Sequence, residues 1–130
     1  MKLTLLSDLT SQGLEAALRG LAARHLATAH NLANLDTPAF VRVEVDFERA
    51  LAAALARGSQ SPEEAGRRLA ALAARPRRDR ASPTRADGNN VDVDREMVAL
   101  AQNALRYRAA AELLGGRLRM LRIAISEGRR

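Results

Sequence analysis

The clearest pattern along the chain is a set of apolar positions in its C-terminal quarter, spaced alternately three and four residues apart. These positions, none of them charged, are Met97, Leu100, Ala104, Tyr107, Ala111, Leu114, Leu118, Leu121 and Ile125. Because this spacing places the side chains on one stripe of an α-helix, it predicts a long helix with a coiled-coil-like seam. The phase continues past Gly115 and Gly116, so we expect one uninterrupted helix, with Asp92 or Asp94 capping its first turn.

A weaker stripe with the same alternating spacing lies near the N-terminus. It consists of Leu14, Leu18, Leu21, His25, Thr28, Leu32 and Leu35. Two long amphipathic helices at opposite ends of a chain can each bury an apolar stripe by packing on the other. The sequence therefore predicts an all-α protein whose terminal helices pack as a coiled-coil-like hairpin, with other copies or other proteins covering the remaining apolar surface.

We predict a single domain over residues 1–130 with three parts. The first, residues 1–40, is the N-terminal helix and a turn. The last, residues 86–130, is the C-terminal helix. Residues 41–85 form a variable basic middle segment, partly disordered, that holds only short helices.

Within the middle segment, two short helices have recognisable ends. Asp46 can cap the first helix, and Gly58 would end it. Ser61, Pro62 and Glu64 have the pattern of a second helix start, with serine at the N-cap, proline at the first helical position and glutamate at the third.

The net charge of +6 is concentrated in the same middle segment. Residues 57–85 hold eight arginines and three acidic residues, whereas basic and acidic residues nearly balance over the rest of the chain. We expect Pro76 to end the second short helix, and residues 75–80 to form a mobile, exposed loop.

Composition excludes several classes of function. The chain has no cysteine, which rules out disulfides, Cys-ligated metal sites and thiol nucleophiles. His25 and His30 lie five residues apart, on different faces of a helix, without a carboxylate that would complete a metal or catalytic set. We therefore predict no catalytic residue, no metal site and no cofactor. Residues 1–6 are too short for the apolar core of a cleaved signal peptide, and no segment is apolar over the length of a membrane span.

A polar motif follows the N-terminal helix and consists of Asn31, Ala33, Asn34, Thr37, Pro38 and Phe40. Pro38 disfavours a helical conformation at Thr37, and the short side chain of Asn34 can bond nearby backbone. These residues predict a rigid, self-capped turn. Taken alone, the motif is also compatible with an ordinary helix end.

A second polar motif precedes the C-terminal helix and consists of Gly88, Asn89, Asn90, Val91, Asp92, Asp94 and Glu96. It does not have the spacing of a calcium-binding loop, because Val91 stands where a third oxygen ligand is needed. A turn followed by a helix cap accounts for the motif on its own.

Together and in this order, the two motifs resemble those of the bacterial flagellar rod and hook proteins. The short sequence at residues 46–48, Asn103, Tyr107 and the ending at residues 121–128 strengthen the resemblance. It covers residues 14–56 and 86–128, leaves the basic middle segment unmatched, and departs from the family at Ala39, where glycine is usual. The short chain is similar to the proximal rod members, since their distal relatives carry larger central domains.

The resemblance implies a structural subunit rather than an enzyme. Such a subunit assembles helically, with itself and with other rod proteins, in the periplasm-spanning proximal rod of the flagellar basal body, and it transmits motor torque from the inner-membrane ring. The implied partners are also the adaptor between that ring and the rod, and the flagellar export apparatus, which exports subunits without a cleaved signal peptide. We expect Leu14, Leu18, Leu21, Leu32 and the nine C-terminal stripe positions to carry subunit packing.

Two other functions remain as alternatives. A cytosolic coiled-coil adaptor or export chaperone would share the heptad stripe but has no need of both polar motifs. An arginine-rich nucleic-acid-binding protein would use the basic middle segment, yet no recognition fold or aromatic platform accompanies it. We therefore expect neither nucleic-acid binding nor direct lipid binding.

Overall fold

The computed structural model describes residues 8–127, which are mostly helical, as predicted for an all-α chain. The predictions for residues 1–6 and for Gly128 lie outside the described residues. The elements in chain order are α1 (Leu9–Ala33), β1 (Val43–Val45), α2 (Glu48–Ala56), a 3-10 turn (Arg57–Ser59), α3 (Pro62–Ala71), β2 (Pro76–Arg78) and α4 (Val93–Glu127).

The long C-terminal helix is continuous, as the heptad phase predicts. It runs for 35 residues and passes Gly115 and Gly116 without a break. Asp92 caps it, because its Oδ1 accepts hydrogen bonds from the backbone N–H groups of Asp94 (3.0 Å) and Arg95 (3.2 Å). These amides have no partner inside the helix, so the carboxylate determines where α4 begins.

The start of α3 is also as predicted, but its end is not. Ser61 is the N-cap, and its Oγ accepts a hydrogen bond from the Glu64 backbone N–H at 3.4 Å. The Glu64 carboxylate pairs instead with Arg68 one turn later, at 2.7 Å. The helix ends at Ala71, because Leu72 adopts an extended conformation (φ −63°, ψ 111°), so Pro76 lies well beyond the helix and does not end it.

The prediction of a mobile loop at residues 75–80 is wrong. The segment Pro76–Arg78 forms strand β2, which pairs antiparallel with β1 so that Val43 lies opposite Arg78 and Val45 opposite Pro76. Arg77 lies opposite Glu44, and their side chains form an ion pair at 2.7 Å. Strands of three residues are too short to show a period, which is why the pattern of apolar positions did not indicate them.

The described residues divide into two compact units, each assembled from separate parts of the chain. The first unit contains residues 8–18, 48–72 and 108–127, and the second contains residues 19–47 and 73–107. The single domain that we predicted from the sequence stays a prediction.

The first unit has a small apolar core. Ala16 of α1, Ala54 of α2 and Leu69 of α3 are buried together, with Leu9 and Leu51 packed against them. Alanine at two of these positions lets the helices approach closely.

In the second unit, α1 packs closely on the segment that follows β1. A Cβ atom at Gly20 would lie only 2.4 Å from the ring of Phe47, so glycine is required for this approach. The guanidinium of Arg24 covers the same ring, with its Cζ 4.9 Å from the centroid.

The buried stripe of α4 is displaced by one residue from the predicted seam. Its buried residues are Glu96, Asn103 and Ala110, which are seven apart. Among the predicted positions, Leu100, Leu114 and Leu121 are half-buried, and six are exposed: Met97, Ala104, Tyr107, Ala111, Leu118 and Ile125. Most of the predicted apolar seam is therefore uncovered in the described part of the chain.

The stripe of α1 agrees better with its prediction. Leu21 and Thr28 are buried, and Leu14, Leu18, Leu32 and Leu35 are half-buried. His25, which we placed in the stripe, is exposed. None of the described helices combines the length and the hydropathy that crossing a membrane requires.

We expect replacement of Leu69 by alanine to destabilise the protein by about 2–5 kcal/mol, because truncation of a fully buried leucine loses apolar contacts and leaves a cavity. Leu26→Ala is the matched control, since Leu26 is 72% exposed and its truncation should change the free energy of unfolding by less than about 0.5 kcal/mol. Urea denaturation followed by circular dichroism measures both changes. Equal effects of the two substitutions would contradict the assigned core.

Candidate functional site

The two polar motifs meet in the second unit, where the buried side chain of Asn89 joins them. Its Nδ2 lies within hydrogen-bond distance of three backbone carbonyl oxygens after α1, those of Asn34 (3.0 Å), Leu35 (3.1 Å) and Thr37 (2.8 Å). Its Oδ1 accepts a hydrogen bond from the Val91 backbone N–H at 2.7 Å. The Asn89 side chain therefore ties the turn after α1 to the segment that leads into α4.

The turn after α1 is self-capped, as predicted. Asn34 Nδ2 donates to the carbonyl of His30 at 2.8 Å, and Thr37 Oγ1 donates to Asn34 Oδ1 at 3.2 Å. The ring of Phe40 returns to α1 and lies 5.4 Å, centroid to centroid, from the ring of His30. All of these contacts join residues within ten positions of each other, so the turn is held by its own neighbourhood in the sequence.

Ala39 occupies a left-handed backbone conformation, with φ of +57°. Its N–H donates to the Asp87 carbonyl at 2.8 Å, which holds the turn against the second motif. Gly88 lies there with φ of +80°, and a Cβ atom at this glycine would approach the Ala39 Cα to 3.4 Å. Gly88 is therefore well suited to its position, whereas Ala39 carries the steric cost of a side chain at positive φ.

Asn31 takes the place of a neighbouring strand along the free edge of β1. Its Oδ1 accepts from the Val43 N–H at 2.8 Å, and its Nδ2 donates to the Val43 carbonyl at 2.7 Å. The same Nδ2 lies 2.9 Å from Oε2 of Glu96 on α4. Farther along this edge, Arg24 Nε and Nη2 donate to the Val45 carbonyl at 3.0 and 2.8 Å. Side chains of α1 thus satisfy this edge of the sheet.

Asn90 joins the residue before β1 to the residue after β2. Its Oδ1 accepts from the Arg42 N–H at 2.6 Å, and its Nδ2 donates to the Asp79 carbonyl at 2.6 Å. Because the Asp79 N–H also donates to the Arg42 carbonyl at 2.8 Å, the segments around β1 and β2 are joined directly and through Asn90.

A buried ion cluster lies beside this sheet. Arg42 is only 8% exposed; its Nε donates to Oε1 of Glu96 at 2.5 Å, and its Nη1 donates to Oδ2 of Asp79 at 3.0 Å. Burial by itself disfavours the charged guanidinium, but the hydrogen bonds and attraction of the two carboxylates outweigh it and raise the pKa of Arg42. Arginine suits this position because its planar group can donate to both carboxylates at once.

Asp79 accepts several hydrogen bonds that stabilise its ionised form. The hydrogen bond from Ser82 Oγ, at 2.6 Å, is the largest cause that lowers the pKa of Asp79 to about 2. Partial burial opposes the shift, while the backbone N–H groups of Ala81 and Ser82 and the guanidinium of Arg42 add to it. All of these donors favour the ionised carboxylate.

The remaining motif residues and one further amide complete the site. Asn103 Nδ2 donates to the Leu21 carbonyl at 2.8 Å, which joins α4 to α1, and its Oδ1 has no described partner. Ala33, Pro38 and Asp94 belong to the predicted motifs but are exposed. Arg42 and Asp79 are the residues that sequence reasoning missed. The only local signal was a charged residue between Val41 and Val43.

The arrangement holds separate segments of the second unit together. Its carboxylates are engaged by arginine, serine and backbone N–H groups. Over residues 8–127, no three histidine, cysteine or acidic side chains come together in a way that could hold a metal ion.

Ala39→Gly should stabilise the protein by up to about 1 kcal/mol, because it relieves the side-chain cost at positive φ, partly offset by the greater freedom of glycine in the unfolded chain. Ala33→Gly is the control, since Ala33 lies at the end of α1 with ordinary φ and should lose stability. Thermal denaturation measures both. A decrease in Tm for Ala39→Gly would contradict the strained conformation.

Asp79→Asn should destabilise the protein by about 3 kcal/mol at pH 7, because Arg42 loses one of its buried carboxylates. The folded-state pKa of about 2 lies below the ordinary 3.8, so the stability that the ionised group contributes is present above about pH 4 and is lost as the pH falls towards 2. Urea denaturation at pH 7, 4 and 2.5 should therefore show a smaller acid loss for the variant than for the parent.

Glu64→Gln is the control for this comparison, since Glu64 and Arg68 form an exposed ion pair whose loss should cost less than about 1 kcal/mol. An acid loss in Asp79→Asn as large as in the parent protein would contradict the role of Asp79.

Comparison with known proteins identifies relatives that match along most of the chain. The chain is 30% identical over 134 residues to the flagellar basal body rod protein FlgB of Bacillus subtilis (strain 168), covering 92% of this chain and 95% of the relative. It is 34% identical over 117 residues to the protein of the same name from Borrelia hermsii, covering 81% of this chain and 87% of the relative.

A further relative, from Escherichia coli (strain K12), bears the same name and is 27% identical over 125 residues, which is 88% of this chain and 91% of the relative. No family model matches the chain. The identity to relatives that it covers nearly from end to end nevertheless shows its family. The chain belongs to the family of the flagellar basal body rod protein FlgB.

Proposed function

We propose that the chain is a structural subunit of the proximal rod of the flagellar basal body, where it packs helically with copies of itself and with other rod proteins. The single observation that carries the mode of packing is the exposed apolar surface of α4. Its large exposed side chains are Val93, Met97, Val98, Leu105, Tyr107, Leu113, Leu118, Met120, Ile123 and Ile125.

An apolar surface of this extent needs a partner in water. Ten of the twelve large exposed apolar residues described in the chain lie on α4, several of them about half exposed or more. Met97, Tyr107, Leu118 and Ile125 share one face of the helix, and exposed apolar surface of this kind marks an interface. Six of the nine predicted seam residues are exposed: Met97, Tyr107, Leu118 and Ile125 belong to this set, and the other two are Ala104 and Ala111. Most of the seam is therefore available to another subunit.

The displaced stripe of α4 supports the same proposal. The helix uses Glu96 and Asn103 for contacts within the chain and leaves the neighbouring stripe, one residue on, for contacts outside it. A helix with two such stripes can pack on α1 and on a neighbouring subunit at the same time. We propose that the two long helices form an antiparallel coiled-coil-like pair, in line with the contacts of Asn103 with Leu21 and of Glu96 with Asn31.

Contacts between different surfaces of identical subunits generate closed rings when the rotation between subunits closes, and open helical assemblies when it does not. A rod that transmits torque from the inner-membrane ring is a structure of this kind. The proposed partners are other rod proteins, the adaptor between that ring and the rod, and the export apparatus that delivers the subunit without a cleaved signal peptide. The relatives give no support to a cytosolic adaptor, an export chaperone or a nucleic-acid-binding protein.

Leu118→Glu should abolish rod assembly, because it places a charge on the exposed apolar stripe, while the isolated protein should keep its stability since Leu118 is already 49% exposed. The test deletes the gene in its host and complements the deletion with the parent, with Leu118→Glu, or with Arg119→Glu as a control of similar exposure on the same turn. Electron microscopy of basal bodies counts complete rods.

We expect membrane rings without rods in the deletion strain and in the Leu118→Glu strain, and rods in the other two. Intact rods in the deletion strain, in a host with no second copy of the gene, would overturn the proposed function. If the deletion strain lacks rods but the Leu118→Glu strain assembles them, only the proposed role of the stripe is overturned.

A further inference from the structure

The charged residues of the second unit fall into two groups. Several of them form ion pairs within the unit: Arg42 with two carboxylates, Arg77 with Glu44, and Arg85 with Asp87. Other exposed charged residues have no described partner. Two of the cations lie at the end of β2, and two carboxylates lie in a cleft elsewhere in the unit.

Two unpaired cations lie at the end of β2. Arg78 is the last residue of the strand, and Arg80 follows the buried Asp79. Both side chains are exposed, and neither has an ion-pair partner among residues 8–127. They stand in the most basic part of the sequence, and Asp79, the acid between them, is already used by Arg42 and Ser82.

A cleft of about 370 Å³, lined by residues of and beside the two polar motifs, carries the opposite charge. Asp36 and Asp92 supply its carboxylates, and Leu35 and Val93 supply apolar walls. Asp36 is exposed and has no partner within the described residues, while only one oxygen of Asp92 is used in capping α4. The one cation of the cleft, Arg85, is held by the Leu35 carbonyl at 2.5 Å and by Asp87.

An arginine side chain matches the charge and the apolar walls of this cleft. Its guanidinium can bind two carboxylates, and its aliphatic stem can cover apolar walls. Neither Arg78 nor Arg80 fills the cleft of its own chain, although both lie in the same unit.

We propose that the Asp36–Asp92 cleft of one subunit receives Arg78 or Arg80 of a second copy of this chain. The contact joins two different surfaces, so it can repeat from subunit to subunit along a helical assembly. It rests on the proposed rod function and adds to the apolar stripe a polar contact that sets the register between neighbouring copies.

Charge reversal and its compensation test the contact in the deletion host. One strain carries Arg78→Glu with Arg80→Glu, a second carries Asp36→Arg, and a third carries all three substitutions. Arg67→Glu is the control, because Arg67 is an exposed arginine of the same basic segment without an ion-pair partner among the described residues. Purified variants should unfold at the parent Tm, since all four residues are exposed.

We expect each reversal to reduce the number of complete rods per cell at least tenfold, the triple variant to recover at least half of the parent number, and the control to be unchanged. Normal rods in both reversed strains would overturn the contact, and so would loss of rods that the triple variant does not recover. Neither result affects the proposed function, which the deletion strain tests by itself.

Crosslinking supplies a direct readout, because the chain has no cysteine of its own. Arg80→Cys and Asp36→Cys are expressed as two separate copies in one cell and treated with a short bismaleimide. Covalent dimers should form in the doubly expressing strain and not with either variant alone. Absence of dimers from assembled basal bodies would overturn the contact.

Discussion

The fold of the second unit depends on the buried amide of Asn89. Its Nδ2 lies within hydrogen-bond distance of three backbone carbonyls in the turn after α1, and its Oδ1 accepts from the Val91 N–H, so one side chain joins the two polar motifs. The same residue fixes the neighbouring Asn90, whose amide holds the backbone at Arg42 and Asp79. The position of the Arg42 guanidinium, and with it the contact to Glu96 on α4, therefore follows from how residues 89 and 90 are held.

This unit is stabilised largely by polar contacts rather than by a thick apolar core. Buried asparagines, Arg42 and Glu96 occupy positions that leucine or valine fills in most small helical proteins. Hydrogen bonds of this kind contribute little net free energy each, but they are strongly directional, and leaving any one partner unpaired is costly. The cost of an alternative pairing is what makes the arrangement of turn, sheet and helix unique.

Helical periodicity predicted the long helices, and residue types at their ends predicted the caps of α3 and α4 and the self-capped turn, because all of these features depend on residues close in sequence. Asp92 and Ser61 cap helices that begin beside them, and Asn34 bonds one turn back. The motif residues Asn31, Asn89, Asn90 and Glu96 were identified as a group, but their contacts with each other's segments were not. Those contacts join residues 48 to 65 positions apart, and helical or strand periodicity gives no information about pairing over such separations.

The same reason explains the errors. The sheet needed Glu44 and Arg77, or Arg42 and Asp79, to be recognised as partners across more than thirty residues. We predicted a solvated loop for residues 75–80 from their many arginines, because composition shows how many charges a segment has but not which residues they pair with. On α4, apolar periodicity predicted the stripe at residues 97, 104 and 111 as the inner face, although the helix packs through residues 96, 103 and 110.

That displacement by one residue links the fold to assembly. The two polar residues of the buried stripe, Glu96 and Asn103, make their described hydrogen bonds within the chain. An apolar stripe does not depend on directional partners, and its burial against any surface that excludes water is favourable. A helix that places the polar stripe inside and the apolar stripe outside is defined in its own chain by specific hydrogen bonds, yet still has most of its hydrophobic driving force available for packing between subunits.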